Sequence, residues 1–193
     1  MTSLSRSIAL ALALVAASCT SVPLTSLVSL ARIDPRSTDL GQLRVAVRLP
    51  DALKPRPGGV KLDAVVKRPG APDQTTSYAL APVDDPVERA AVPDDGESGS
   101  VHVFRMMSAD VLRLSELRNR LYAEVDAGGE ATLGLGIATK EFCRLGELSD
   151  GALPVTTYLA TSETQGFVTV TRDIDLRSQP ETAEHVKTLQ ACP

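Results

Sequence analysis

Two histidines and three cysteines are the whole stock of imidazole and thiol in the chain. His102 and His185 stand in no HExxH-type spacing, so a zinc site would have to draw both together with distant carboxylates. His102 reads as a residue of a sheet, and His185 as a surface residue of the C-terminal tail. A serine hydrolase needs its nucleophile on a sharp GxSxG turn. Gly96-Glu97-Ser98-Gly99 is one residue short of that spacing, and its acidic surroundings oppose an oxyanion. Gly128-Gly129 follows a helical stretch instead of preceding one, the wrong polarity for cradling phosphate. Asp94, Asp95 and Glu97 lack the alternation of a calcium-binding loop. Asp173 and Asp175 fall on an exposed strand face, and with aromatics at 3% a glycosidase cleft would have few stacking subsites. These spacings assign no catalytic residue, no metal ligand and no cofactor.

The cysteines carry more. Arg6 precedes an apolar run from Ile8 to Ala17. Crossing a bilayer takes about 20 apolar residues, and this run is half as long. A positive start, a short apolar stretch and small residues after it describe a secretory signal. The run ends Ala16-Ala17-Ser18-Cys19, which resembles the leader of bacterial lipoproteins, although Ala16 stands where Leu is commoner. The resemblance implies that residues 1–18 are a signal peptide cut before Cys19. Cys19 would then carry a diacylglyceryl group and a further acyl chain such as palmitate. Residues 19–23 would be a short tether, and 24–193 a single domain held at the membrane. Thr20 and Ser21 contain no Asp retention signal, which implies the outer membrane of a bacterial envelope, facing the periplasm. The plainer reading is an ordinary signal peptide cut near Ala17, with Cys19 a free thiol. Each buried methylene contributes about 0.8 kcal/mol, and stable attachment takes more than one chain.

An odd cysteine count in an exported protein needs explaining. Lipidation of Cys19 would explain it, leaving Cys143 and Cys192 to join in an oxidising compartment. Loop-closure entropy sets the value of that bridge at roughly 4 kcal/mol at most. A reactive thiol has less behind it: there is no CxxC, and Glu141 and Arg144 offer no clear activation of Cys143.

At 43% apolar the chain has an ordinary globular content, and residues 19–193 are enough for one domain with a core. A net charge of −4 gives no general attraction to nucleic acid. The charge is segregated. Arg32 to Arg68 is mostly basic, and Asp73 to Glu97 mostly acidic. A basic face near the anchor would meet anionic head groups, but the simpler expectation is a solvated outer face of exposed strands.

The elements follow from periodicity. Alternation marks strands over 42–49 and 60–67, with Leu43, Val45, Val47 and Leu49 on one side of the first and Arg44 and Arg48 on the other. Further strands are expected over 27–33, 75–80, 101–106, 131–139, 155–161 and 167–176, the last two as a hairpin. Residues 84–100 read as an acidic loop with a short strand near Val87 to Val92. One amphipathic helix is expected over 109–127, capped by Ser108, with a stripe of Val111, Leu114, Leu117, Leu121 and Val125. In 131–139, Leu133, Leu135 and Ile137 are expected inward. Gly134 and Gly136 would leave a bare backbone face opposite, open to a ligand or partner. Residues 180–190 suggest a short tail helix.

The expected fold is mainly β: an antiparallel β-sandwich or a helix-backed antiparallel sheet with one inserted helix. The expected role is that of a non-enzymatic envelope lipoprotein that binds another envelope protein or supports an assembly. The alternative is binding of a small molecule or lipid, and an unrecognised hydrolase comes third.

Overall fold

The computed structural model describes Ser26 and residues 29–193. The leader, Cys19 and the tether lie outside them. Ser29 and Leu30 are helical and residues 31–32 form a turn, so the strand expected over 27–33 is not formed there. Its apolar residues had no clear period of two, and Asp34 turns the chain just after them. The Asp34 carboxylate accepts from the Arg36 amide and the Ser37 hydroxyl, and its carbonyl from the Thr38 amide.

The fold is mainly β. Strands β1 (Arg44–Leu49), β2 (Leu53–Pro55), β3 (Val60–Lys67) and β4 (Gln74–Val83) come first, then helix α1 (Pro86–Ala90) and strand β5 (Ser100–Met106). Helix α2 (Ser108–Asp126) follows, then β6 (Thr132–Thr139), β7 (Phe142–Arg144), β8 (Pro154–Ala160), β9 (Val168–Asp175) and helix α3 (Pro180–Lys187). Seven strands form one antiparallel sheet in the order β6-β3-β4-β5-β1-β8-β9, and β2 pairs with β7 as a separate ribbon. The sheet curls. Its two edges face each other across an opening lined by Ile137 and Thr139 from β6 and by Thr171 and Ile174 from β9.

Curling gives the sheet a concave face, and there the main core lies. Val45, Val47, Leu49, Leu62, Leu80 and Phe104 belong to it, joined by Leu114 from α2. Burying a Leu or Val side chain contributes about 1.5–3 kcal/mol, so this cluster is the dominant source of stability. α2 runs from Ser108, one residue before the expected start, and Met107, not Ser108, holds the cap position, with no side-chain bond. Asp110, in the first turn, is buried and ion-paired with Arg113. Leu114 and Leu121 are buried and Val111 and Leu117 pack partly against the core, so the stripe faces the sheet. Leu135 is an exception to the expected inward set. At 43% exposure it sits on an edge strand, where only Leu133 and Ile137 reach the core.

The convex face is not left to water. Ala46, Val92, Val103 and Tyr158 form a second small core, with Val83, Val101 and Phe167 packed on it. Residues 84–100 cover this face, and they contain a helix where a short strand was expected. Asp85 caps α1 by accepting from the Val87 amide, Pro86 opens it, and Glu88 sits in its first turn. All three are helix-start signals. The segment rejoins the sheet at Gly99. Its φ is +121°, and a Cβ there would lie 2.2 Å from the Leu49 carbonyl oxygen. Only glycine allows this close crossing.

β1 is therefore buried on both sides, and Arg48, expected on a solvated or membrane-facing surface, is only 8% exposed. Its Nη2 donates to the Pro93 carbonyl at 2.7 Å and its Nε to the Tyr158 hydroxyl at 3.2 Å. Burial opposes its charge, but the Tyr158 hydroxyl and the Glu97 and Asp94 carboxylates offset that, and its pKa is raised. Burial also raises the Tyr158 pKa, while Arg48 pulls it back.

Candidate functional site

The largest concavity described lies between the ribbon and the adjoining end of the sheet, with a volume of about 870 Å³. β4 hydrogen-bonds β3 up to Ala79 and then runs against β5 from Leu80 to Val83. Past Val60 the sheet has no third strand on that side, and the gap remains as a cleft. Leu80, Pro82, Val101 and Phe104 form its apolar floor, and Lys54, Pro55, Arg56 and Pro57 form the facing wall.

The wall is held by several independent ties. Lys54 pairs with Cys143 and Pro55 with Phe142 across the ribbon. The Arg56 amide donates to the Glu141 carbonyl and the Lys140 amide to the Gly59 carbonyl. Gly59 is required there, since a Cβ would meet the Glu141 carbonyl oxygen at 2.2 Å. Cys143 and Cys192 are at disulfide distance, with sulfurs 2.06 Å and Cα atoms 4.9 Å apart. That Cα separation suits a bridge. The Cys192 amide also donates to the Arg144 carbonyl, and the Arg144 amide to the Gln190 carbonyl. The two cysteines and Pro193 line the cleft, so the covalent tie of the tail is part of the wall.

His102 also lines the cleft. It stands opposite Val47 on β1, and its Nε2 is buried without a hydrogen-bond partner among the described residues. Burial lowers its pKa, and the nearby Lys54 and Arg89 cations lower it further. The imidazole is therefore neutral at neutral pH, with one donor and one acceptor nitrogen. The Ser100 hydroxyl on the same wall donates to Asp51 at 2.6 Å, and Asp84 is ion-paired with Arg89 at 2.9 Å. Among the described residues no hydrogen bond joins His102 to a carboxylate or a hydroxyl.

Of the residues singled out from the sequence, the structure brings His102, Cys143 and Cys192 to this cleft and leaves the others described elsewhere. Cys19 lies outside the described residues. Gly134 and Gly136 are exposed on β6, opposite Val65 and Asp63, and their outer side is open: a Cβ at Gly136 would meet nothing within 4 Å. They do not line the cleft. His185 is on the exposed side of α3. Asp95 and Glu97 are pinned by Arg172 at 2.7 and 3.1 Å, and Glu97 also accepts from Thr156. Asp175 accepts from the Leu153 and Arg177 amides. Among the described residues no three His, Cys, Asp or Glu side chains could share a metal ion, and no helix is long and apolar enough to cross a membrane.

Sequence reasoning missed the cleft because its walls come from six separate segments. One signal was available: in Val101–Met106 a histidine interrupts the apolar face that carries Phe104 and Met106. No family model, curated protein or solved structure matches the chain.

Proposed function

We propose that this chain is a non-enzymatic binding lipoprotein of the bacterial envelope, anchored through Cys19 in the outer membrane, that holds a small ligand in the cleft beside His102. The observation that carries the reading is the cleft itself. Its volume of about 870 Å³ falls within the roughly 300–1,000 Å³ usual for small-molecule sites, which are mostly apolar with a few convergent polar groups. The concave face is filled by side chains and the apolar hollow beneath α2 measures only about 50 Å³; the opening between the sheet edges, about 550 Å³, is smaller than the cleft of about 870 Å³.

Binding to another envelope protein has less support. Among the described residues the exposed large apolar side chains are Val87, Met107, Leu112, Leu135 and Leu145. They are spread over α1, the start of α2, β6 and the turn after β7, and single exposed apolar residues are ordinary on any surface. For hydrolysis, no carboxylate among the described residues is hydrogen-bonded to His102 to orient it as a base.

Native mass spectrometry of the protein extracted from bacterial membranes tests the proposal. Wild type should retain a small molecule, and Pro57→Trp should lose it. Pro57 is exposed on the rim, so an indole there fills the cleft without displacing the core. A wild type with no bound mass, or a mass unaffected by Pro57→Trp, would overturn the reading.

A further inference from the structure

We infer that the cleft selects a ligand with an anionic head group, a carboxylate or phosphate, carried on a short apolar body. The inference rests on the binding role proposed above and names the class of ligand. Three cationic side chains line the cleft, Lys54, Arg56 and Arg89, against one acidic side chain, Asp84, and the main-chain carboxylate of Pro193. Asp84 is matched by Arg89, and its side chain is 99% exposed, where water weakens its field. Neither Lys54 nor Arg56 has a carboxylate partner among the described residues.

Arg56 is also oriented. Its Nε donates to the Phe142 carbonyl at 3.2 Å, which fixes the guanidinium plane while its two terminal nitrogens have no hydrogen-bond partner among the described residues. A fixed fork of this kind matches two oxygens of a carboxylate or phosphate. Neutral His102 adds a polar contact at the boundary with the apolar floor of Leu80, Pro82, Val101 and Phe104. The protein as a whole carries a charge of −4, so its general field repels anions. Attraction at this mouth is a local property, which is the signature of selection.

The test compares octanoate, octyl phosphate, octanol and octyltrimethylammonium by calorimetric titration of the purified full chain. At least one of the two anions should bind tenfold or more tightly than octanol, and octyltrimethylammonium should not bind. Comparing octanoate with octyl phosphate identifies the head group. Lys54→Gln with Arg56→Gln should weaken the anion at least tenfold and leave octanol unchanged. If that double variant does not fold, Lys54→Gln alone should lower anion affinity severalfold and reduce its salt dependence. Equal binding of octanol and both anions, abolished by Pro57→Trp, would overturn the anion inference and keep the cleft as a binding site. Binding of none of the four, with no retained mass in native spectrometry, would overturn both.

Discussion

Arg48 offers the sharpest test of the architecture, because its neighbour in the alternation, Arg44, provides an internal control. Both stand on β1, and both were expected on one outward face. Arg44 pairs with Glu88 at 2.9 Å and donates to the Gly41 and Leu43 carbonyls at 3.1 and 3.2 Å, but its side chain is 24% exposed, so water can replace those bonds, and pairs of that kind contribute at most about 1 kcal/mol. Arg48 donates to the Pro93 carbonyl at 2.7 Å, the Tyr158 hydroxyl at 3.2 Å and the Glu97 carbonyl at 3.4 Å. Counting only the two shorter bonds, at about 1.5–3 kcal/mol for each bond to a charged group, gives about 3–6 kcal/mol. Removing the charge also removes its desolvation cost, which favours the lower end. Arg48→Ala should therefore cost about 3 kcal/mol in urea unfolding followed by far-ultraviolet circular dichroism, against less than about 1 kcal/mol for Arg44→Ala. Arg48→Met, which keeps the apolar stem, should fall between them. Cleavage after Glu97 by a glutamate-specific protease should accelerate in Arg48→Ala, since the loop loses its tie to the sheet. Equal costs for Arg48→Ala and Arg44→Ala, with unchanged cleavage, would refute the burial of Arg48 beneath the loop.

Replacing Cys143 and Cys192 by Ser should lower stability by up to about 4 kcal/mol for a separation of 49 residues, read as a lower urea midpoint that reductant no longer shifts; an unchanged midpoint would exclude the bridge. Cys19→Ser should release the protein from the membrane fraction and remove the lipid mass from its N-terminus, and persistence of both would refute the anchor. His102 gives a pH dependence with a definite sign. Burial, then Lys54 and Arg89, hold its folded pKa below the usual value, while the unfolded value is about 6.5. The unfolded chain therefore takes up the proton first as pH falls. The stability contributed is complete above about 6.5 and is lost progressively below it, towards the folded pKa. His102→Gln should flatten the urea midpoint between pH 7.5 and 5.5, and an unaltered slope would show that His102 is not held neutral.

The strands were legible wherever one face meets the core and the other meets water. β3 is the clearest example: Val60, Leu62, Ala64 and Val66 are buried, while Lys61, Asp63 and Val65 are half-buried and Lys67 is exposed. α2 was legible from its stripe and from Gly128-Gly129 at its end. Legibility failed where long-range contacts override the local pattern. Residues 84–100 read as a solvated loop because acids and prolines dominate their composition, yet Arg48 and Arg172, distant in sequence, order them against the sheet. The Asp85-Pro86 start of α1 was readable in principle, but the helix spans only five residues, too few for any apolar period to show. The cleft was illegible because no stretch of sequence contains it. It exists because β4 outruns β3 and because the ribbon, joined by residues far apart in the chain, packs across the opening.

The same contacts change the meaning of the charge segregation. In the sequence, a basic stretch over 32–68 and an acidic one over 73–97 stand apart, and the basic stretch suggests attraction to head groups. In the fold most of those bases are consumed locally. Arg36 pairs with Asp126, Arg44 with Glu88, Lys61 with Glu141, Lys67 with Asp73 and Arg68 with Glu124, while Arg48 serves the loop carbonyls. A membrane would have to compete with carboxylates already within 4 Å of each paired base, so this segment is a weak candidate for a head-group surface. Lys54 and Arg56 differ from these. They lie within the same basic stretch, have no carboxylate partner among the described residues, and line the cleft, Arg56 half-buried and Lys54 exposed. Charge that is unpaired, oriented and partly desolvated is where an added anion gains most. That reasoning moves the expected anion contact from the sheet surface to the cleft beside His102.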